Sequence, residues 1–331
     1  PRSPACSIQN PTPSRAASNP NGFACAEGWG RVSNPILMKY VRMLMMGLLA
    51  GSLVFCFSGC VVVRKGTAKL VSPVATQLST GLMYQSDVEL VRDGAPAFLL
   101  MLDALAETHA DNPAVLMAAA DAQVAYATGF VDKANKSRTK AMYAKAQTFG
   151  LRALDLRNKR FAKARNGGTL DDFTAALRYF KKDDAAALYT TASAWVMWII
   201  ASSDSPAALG DMPKVLAMMA RVQDLNPGIH QGGVDLFYGI YYTVLPLGGG
   251  RDLERARKCF ERSMAFAGPD YLLPKVTFAE FYARYAYDQE LFENTLREVL
   301  AAQPQAPEFT LMNAVAKTRA QTLLDQVDDL F

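Results

Sequence analysis

One spacing of apolar and small residues recurs four times in this chain and constrains its fold more than any other feature. After the first residue of each copy, the matching positions follow at intervals of four, three, three and two. The copies are Ala146, Gly150, Ala153, Leu156, Asn158; Val215, Met219, Val222, Leu225, Pro227; Ala256, Phe260, Ser263, Phe266, Gly268; and Phe292, Leu296, Val299, Ala302, Pro304. Intervals of three and four place side chains on one helical face. The pattern therefore predicts four amphipathic helices, each ending at a breaker residue.

These are the positions at which the second helix of a tetratricopeptide hairpin packs on the first. A partial fifth copy, Phe98, Leu102 and Leu105, precedes Pro113. Before the third copy, Gly239 and Tyr242 fit the small and aromatic positions of a first helix. Successive terminators lie 69, 41 and 36 residues apart, so the repeats are irregular and the first gap is about two repeats long.

The chain after Val88 is typical of an all-α protein. Ala, Leu, Met, Lys, Arg and Glu recur at helical spacing, and no segment shows the sustained alternation of a strand. Because one hairpin cannot bury its apolar face alone, we expect the cryptic hairpins to stack into a compact curved superhelix with a concave surface. An unrelated helical bundle is the alternative, since all amphipathic helices use these intervals.

The N-terminal region has the features of a bacterial lipoprotein signal. The basic residues Lys39 and Arg42 precede an apolar run, Met43 to Phe57, and Ser58-Gly59 precede Cys60. The run suits a signal peptide but is shorter than the roughly 20 residues of a membrane-spanning helix. We expect cleavage before Cys60 and acylation of this cysteine. An ordinary signal peptide or an N-terminal membrane anchor is the alternative, because Phe57 departs from the usual aliphatic residue.

The sequence divides into four segments by composition. Residues 1–37 are rich in Pro, Ser and Asn and are predicted to lie upstream of the true start, Met38, or to form a disordered tail. Residues 38–59 are the predicted signal peptide and residues 60–85 a lipidated tether. Residues 86–331 are the predicted helical tetratricopeptide-like domain.

Removal of the signal changes the charge and the cysteine content. The chain has a formal net charge of +4, and residues 1–59 contain five basic residues and one acidic residue, so the mature protein would be neutral. A neutral chain gives no indication of nucleic-acid binding. Only Cys60 and Cys259 would remain, which excludes an intramolecular disulfide if Cys60 is acylated and provides no metal-binding cluster.

No pattern of catalytic residues is present in the sequence. His109 and His230 are its two histidines, and the zinc, serine hydrolase and phosphate-loop motifs are missing. The run Gly248 to Gly250 is best explained as a flexible turn before a helix that Asp252 caps. We therefore predict a protein without enzymatic activity, cofactor or metal.

Aromatic residues are the candidate binding residues. Most are expected in the core, but tyrosine hydroxyls need polar partners, and a cluster on stacked helices can line a cavity for an elongated apolar ligand. The candidate lining consists of Trp195, Trp198, Tyr238, Tyr241, Tyr242, Tyr271, Tyr282 and Tyr285.

Two segments between residues 238 and 283 carry a family resemblance. Tyr238-Gly239-Ile240-Tyr241-Tyr242 leads through Leu245-Pro246 and the glycine run to Asp252-Leu253-Glu254-Arg255-Ala256, and Phe278-Ala279-Glu280-Phe281-Tyr282-Ala283 follows. With the lipoprotein signal and the cryptic repeats, this combination resembles the TatT family. These proteins are the T components of tetratricopeptide-associated TRAP transporters, and the resemblance extends from Cys60 to the C-terminus.

The resemblance implies a periplasmic lipoprotein that binds the solute-binding subunit of a TRAP transporter. It also implies a homotrimer whose protomers contain a pore through which a small ligand passes, whereas energy coupling belongs to separate membrane subunits. The lipid would attach the protein to the inner or the outer membrane, a choice that the sequence leaves open. Two alternatives are a scaffold for outer-membrane or envelope assembly and a carrier that acts alone.

Overall fold

The computed structural model describes residues 80–131 and 135–331. The described residues contain helices and turns but no strand, with 79% in helix, which confirms the predicted all-α class. The predicted signal peptide, Cys60 and most of the predicted tether lie outside the described residues. Residues 80–83 form one helical turn before the first long helix.

Fourteen α-helices follow one another in this part of the chain. The first six are α1 (Val88–Thr108), α2 (Pro113–Gly129), α3 (Lys136–Arg157), α4 (Lys159–Arg165), α5 (Leu170–Leu177) and α6 (Ala185–Ala201). The next four are α7 (Pro206–Leu209), α8 (Met212–Leu225), α9 (Ile229–Val244) and α10 (Leu253–Ala267). The last four are α11 (Leu273–Thr277), α12 (Gln289–Ala301), α13 (Thr310–Asp325) and α14 (Val327–Leu330).

Side-chain caps fix where many of these helices begin. The carboxylate of Asp87 accepts from the Leu90 amide, and that of Asp252 accepts from the Arg255 amide at 2.9 Å, as expected for Asp252 from the sequence. Asn158 both ends α3 and caps α4, because its side chain accepts from the amides of Arg160 and Phe161. Each bond satisfies an amide that the first helical turn leaves free, so the short polar residues between helices set the hairpin boundaries.

Neighbouring helices pack as hairpins, and the second helices contain the repeated spacing. The pairs are α2 with α3, α6 with α8, α9 with α10, and α11 with α12. The first three positions of every copy are buried. The fourth position varies, because Leu156 and Phe266 are 44% and 47% exposed. The sequence therefore located the packing face correctly but extended it one position too far in two copies.

Two glycines mark places where helices cross closely. A Cβ atom on Gly239 of α9 would lie 2.9 Å from the ring of Phe260 on α10. A Cβ atom on Gly150 of α3 would lie 2.4 Å from the hydroxyl oxygen of Thr191 on α6. Both contacts are shorter than carbon atoms tolerate, so glycine permits these helices to approach. Both positions had been assigned to the repeat pattern from sequence alone.

The first gap between terminators holds one hairpin and an insertion. The short helices α4 and α5 occupy the insertion and precede the hairpin of α6 and α8. Three buried rings join the insertion to the core: Phe161 lies 5.2 Å from Phe173 and 5.3 Å from Phe180 between ring centroids. The first gap is therefore long because it contains an insertion that packs around buried aromatic rings.

The buried apolar residues form two clusters. The larger one extends from α1 to the start of α9, and the smaller one joins α11, the following turn, α12, α13 and α14. Between them, the ring of Phe260 contacts that of Phe278 at 5.6 Å. The last long helix, α13, also contacts the first, α1, so the two ends of the helical series meet.

Candidate functional site

Three of the predicted lining tyrosines lie together on α9. The rings of Tyr238 and Tyr242 stack with centroids 6.0 Å apart, and those of Tyr241 and Tyr242 meet edge to face at 5.4 Å. The Arg255 guanidinium lies 4.4 Å above the Tyr242 ring. Burial, with a smaller contribution from Tyr242, raises the pKa of Tyr238 to about 12. This group is half-buried along the junction of α9 and α10, and the raised pKa of Tyr238 keeps its hydroxyl protonated at neutral pH.

Two further predicted residues lie in and after the π-helical turn Phe278–Ala283. The Tyr282 ring stacks on Phe278 at 4.9 Å. Arg251 lies 5.2 Å from the Tyr285 ring and donates through Nε to the Leu245 carbonyl at 2.7 Å. The contacts of Arg251 attach the segment after the turn to the connection between α9 and α10. Tyr282 and Tyr285 are half-buried, so each keeps part of its surface accessible.

The two tryptophans pack against the larger core cluster. Trp195 is 3% exposed, and its ring meets Phe173 edge to face at 6.3 Å. Trp198 is half-buried against the same cluster. Trp195 therefore contributes to packing, and Tyr238 of α9 packs against the same cluster as the two tryptophans.

Tyr271, the last predicted lining residue, lies in the connection between α10 and α11. Its ring lies 4.9 Å from that of Phe309. Burial, followed by the proximity of Tyr189, raises the pKa of Tyr271 strongly. Tyr189 comes from α6, so side chains distant in sequence meet here. We call this region the polar recess and define it by Tyr189, Ser193, His230 and Tyr271.

A hydrogen bond joins α2 to α6 at the residue after Tyr189. The Thr190 hydroxyl donates to the Asp121 carboxylate at 2.5 Å. Burial raises the pKa of Asp121 to about 6, and this hydrogen bond opposes the shift. The residue nevertheless remains exposed to solvent.

An aromatic pair forms the centre of the polar recess. The rings of Tyr189 and His230 lie 4.7 Å apart at an angle of 30°. Burial raises the pKa of Tyr189, which a hydrogen bond with Ser193 opposes. Burial lowers the pKa of His230, which keeps this imidazole neutral at pH 7. His230 is exposed and Tyr189 half-buried, the same combination of enclosure and accessibility as at Asp121.

An unusual backbone conformation positions His230. His230, Gln231 and Gly232 have positive φ values of 46°, 55° and 79°. Positive φ is unfavourable for residues with a Cβ atom, so tertiary contacts must hold this turn. One such contact is visible at Gly233, where an added Cβ atom would lie 2.5 Å from the Tyr189 hydroxyl oxygen. Gly233 therefore allows α6 and α9 to approach beside the imidazole, whereas Gly232 faces Ser263 and Phe266 of α10.

Sequence reasoning identified Tyr271 but missed Tyr189 and His230 as its neighbours, and it missed the contact of Asp121 with Thr190. Asp121 and Thr190 are 69 residues apart, and no local pattern pairs them. One signal in the sequence pointed to this region. His230 is followed closely by Gly232-Gly233, and paired glycines indicate an unusual backbone conformation where two chain segments approach closely.

The chemistry of the polar recess is that of recognition. It offers hydroxyls, a neutral imidazole and aromatic faces, which can bind a ligand by hydrogen bonds and ring contact. Among the described residues, no group of three or more His, Cys, Asp or Glu side chains is placed to hold a metal ion. Cys259 is buried and its pKa is raised by burial, so this thiol is protonated at neutral pH.

The fold and the site together define a class: an all-α protein of stacked helical hairpins with an accessible polar and aromatic recess among its helices. None of the helices in the described ranges combines the length and apolar character needed to cross a bilayer. A family model described as the TRAP transporter T-component matches residues 84–331. The chain belongs to this family, as expected from the residues between Tyr238 and Ala283, and is therefore an accessory component of TRAP transport. A comparison with curated proteins gives no match.

Proposed function

We propose that this protein is a periplasmic lipoprotein that binds the solute-binding subunit of a TRAP transporter and passes a small ligand through its interior. Membership of the T-component family supports the association with TRAP transport. The helical hairpins provide the extended surfaces on which repeat proteins bind partners. We further propose that the protein forms a homotrimer, as its family resemblance implies, and acts without enzymatic activity.

The accessible surface of the polar recess is the observation that carries the ligand part of this proposal. His230 is exposed and Tyr189 half-buried, and their rings lie 4.7 Å apart. A ligand can therefore reach this ring pair from solvent. The tyrosines of α9 and the π-helical turn provide further half-buried aromatic surface for an apolar part of the ligand.

An acyl anchor on Cys60 would raise the frequency of productive encounters with the partner. Two or three acyl chains, with each buried CH₂ contributing about 0.8 kcal/mol, hold a protein on a membrane surface. Confinement to that surface raises the effective concentration of membrane-associated partners. Replacement of Cys60 by Ala should release the protein from membranes without unfolding it. Membrane extraction that still depends on detergent would count against the anchor.

The partner is tested by affinity capture from native envelope extract. The bait is a soluble version of the chain that begins after Cys60, and mass spectrometry identifies the bound proteins. Enrichment of a TRAP-type solute-binding protein is the expected result. Enrichment of envelope-assembly proteins without it would contradict the proposal and favour the scaffold function, and a tightly retained ligand with no protein partner would favour an independent carrier.

A further inference from the structure

The connection between α9 and α10 presents apolar side chains to solvent. Leu247 is 83% exposed, the largest exposed fraction among the large apolar side chains of the described residues. Val244, at the end of α9, is 40% exposed. The turn closes through the Gly249 amide, which donates to the Pro246 carbonyl at 2.9 Å. Single exposed leucines are common on protein surfaces, so what surrounds Leu247 decides its meaning.

Two arginines lie beside this turn, each near the ring of a tyrosine. The Arg251 guanidinium lies 5.2 Å from the centroid of the Tyr285 ring, and its Nε donates to the Leu245 carbonyl at 2.7 Å. The Arg255 guanidinium lies 4.4 Å above the Tyr242 ring. A guanidinium that stacks on a ring keeps N–H groups at its edge available for hydrogen bonds. Each arginine is therefore held in place and retains donors for an additional partner.

Backbone contacts bring the two arginine–tyrosine pairs to the same end of α9. The Asp252 amide donates to the Tyr242 carbonyl at 3.0 Å, so the segment between the two arginines is attached to the last turn of α9. The Leu245 carbonyl that binds Arg251 directly follows this turn. We call this region the arginine–tyrosine surface and define it by Tyr242, Leu247, Arg251, Arg255 and Tyr285.

Neither arginine of this surface has a carboxylate partner in the part of the chain that the structure describes. Asp252 lies between them in sequence, but its carboxylate caps α10 and accepts from the Arg255 amide at 2.9 Å. The other basic residues of α10 have such partners: Arg257 binds Glu261, Lys258 binds Glu254, and Arg262 binds Asp235. Two oriented guanidinium groups therefore remain without an ion pair beside an exposed apolar turn.

The composition of the arginine–tyrosine surface is that of a protein interface. Tyrosine and arginine are enriched near the centres of such interfaces, where a few of these side chains contribute most of the binding energy. The edge of a guanidinium binds a carboxylate through two parallel N–H donors. Leu247 projects into solvent instead of lining a hollow, so it needs a depression in its partner, which a small molecule does not offer.

We propose that the arginine–tyrosine surface docks the solute-binding subunit, with Arg251 and Arg255 binding carboxylates of that partner and Leu247 entering an apolar depression beside them. This inference rests on the proposed function, because it assigns a docking surface to the partner named there. Association would bury the apolar surface of Leu247 and pair two cations that the tyrosine rings already orient. Side chains oriented before binding lose less conformational freedom on association, which favours the complex.

A charge-removing variant and a matched control test the arginines. Surface plasmon resonance measures binding of the purified full chain to the purified solute-binding protein that affinity capture identifies. Arg255→Gln should weaken binding at least about tenfold, because a charge-assisted hydrogen bond is lost. Arg297→Gln removes the same charge from an exposed side chain of α12 and should bind as the unchanged chain does. Equal affinities of the two variants would overturn the proposal.

Salt should weaken the complex through the same arginines. For the unchanged chain, affinity should fall about tenfold between about 0.05 M and about 0.5 M salt, because screening weakens attraction between charges at an accessible interface. The fall should be smaller for Arg255→Gln, which has one fewer cation at the interface. An affinity that is independent of salt would contradict the proposed carboxylate contacts.

A second matched pair tests the apolar contact. Leu247→Ser should weaken binding about tenfold, because the leucine surface is no longer buried by the partner. Leu100→Ser, on α1 at a side chain that is 71% exposed, should bind as the unchanged chain does. Both variants should melt at the temperature of the unchanged chain, since neither leucine is buried, and this separates lost binding from lost folding. Full affinity of Leu247→Ser would overturn the proposal.

The outcomes distinguish the docking surface from the proposed function. An unchanged chain that captures no solute-binding protein would refute both. Capture that Arg255→Gln and Leu247→Ser leave at full affinity would refute the docking surface alone. If Arg255→Gln instead dissociates an oligomer in sedimentation, the surface joins copies of this chain. If it loses only the binding of succinate in calorimetry, the surface serves an organic acid, and in either case the proposal is wrong.

Discussion

Two glycines have the same backbone angle but different surroundings. Gly232 and Gly248 both have a φ of 79°. A Cβ atom on Gly248 would have no neighbour within 4 Å, whereas one on Gly232 would lie 2.9 Å from the Cβ of Phe266 and from the Cα of Ser263. Comparison of the two glycines therefore distinguishes the energetic cost of backbone strain from that of steric contact.

We expect Gly248→Ala to lower the free energy of unfolding by about 1 to 2 kcal/mol, which is the cost of a left-handed conformation for a residue with a Cβ atom. Gly232→Ala should cost about 1 to 3 kcal/mol more, because the first turn of α9 must also move away from α10. Chemical denaturation of both variants measures the difference. Equal losses would show that the packing around Gly232 can relax freely.

The free energy of unfolding should depend on the ionisation of Asp121. Burial raises its pKa in the folded chain to about 6, above the value in the unfolded chain. Between these values the folded chain holds a proton that the unfolded chain has lost, so stability falls as pH rises through this window and is level above about pH 6. Asp121→Asn cannot ionise and should escape this loss.

Melting temperatures between about pH 4 and about pH 8 check this expectation. The Asp121→Asn variant should melt above the unchanged chain at about pH 7.5, and the difference should shrink towards pH 4. The control Asp111→Asn, at an exposed turn, should show a difference that does not vary with pH in this way. A constant offset for Asp121→Asn would mean that this carboxylate does not titrate abnormally.

Individual side chains of the candidate site show where sequence reasoning loses information. Tyr271 was found because it belongs to a dense aromatic segment. Asp121 was missed because an isolated acidic residue in an Ala-rich helix is ordinarily assigned to solvent, and its enclosure arises from the packing of α6 against α2. Trp195 was included for its aromatic character, but its neighbour Phe173 comes from an insertion whose path the sequence does not specify.

Helix boundaries were easier to anticipate than helix contacts. The start of α10 followed from Asp252 after a glycine run, since a short acidic side chain can accept the free amides of a first turn. The exposed fourth positions, Leu156 and Phe266, could not be predicted, because the interval that defines a helical face does not specify where the neighbouring helix ends. Local chemistry thus determines the elements, and the lengths of their partners determine burial.

The cap of α10 can be tested with two substitutions at one position. Asp252→Ala removes the side chain that accepts from the Arg255 amide and should lower the free energy of unfolding by about 1 kcal/mol. Asp252→Ser keeps an acceptor at the same place and should cost only a few tenths of this amount. Denaturant titrations compare the two variants. A Ser variant as unstable as the Ala variant would contradict the capping role.

At the scale of the molecule, the two core clusters predict regional differences in stability. Phe292 of α12 and Phe161 of α4 are both fully buried but belong to different packing environments. Truncation of either ring to Ala should cost about 3 to 5 kcal/mol through lost burial and the cavity that remains. In repeat proteins each unit contacts mainly its neighbours, so such damage spreads unevenly.

Hydrogen exchange followed by mass spectrometry should reveal this difference. Phe292→Ala is expected to reduce protection mainly from α11 to α14, and Phe161→Ala mainly from α3 to α6. Each variant is the control for the other, because both lose the same side chain. Uniform loss of protection in both variants would indicate that the contact of Phe260 with Phe278 joins the clusters into one cooperative unit.

The meeting of α1 and α13 has a consequence for how proteins of this kind diversify. An open solenoid can be lengthened by duplicating a hairpin, because each new unit finds a free end on which to stack. Here the first and last long helices already contact each other, and an additional hairpin would have to separate them. Change is easier within the connections, as the insertion that contains α4 and α5 illustrates. Evolution along this lineage would then vary what lies between the repeats and keep their number constant.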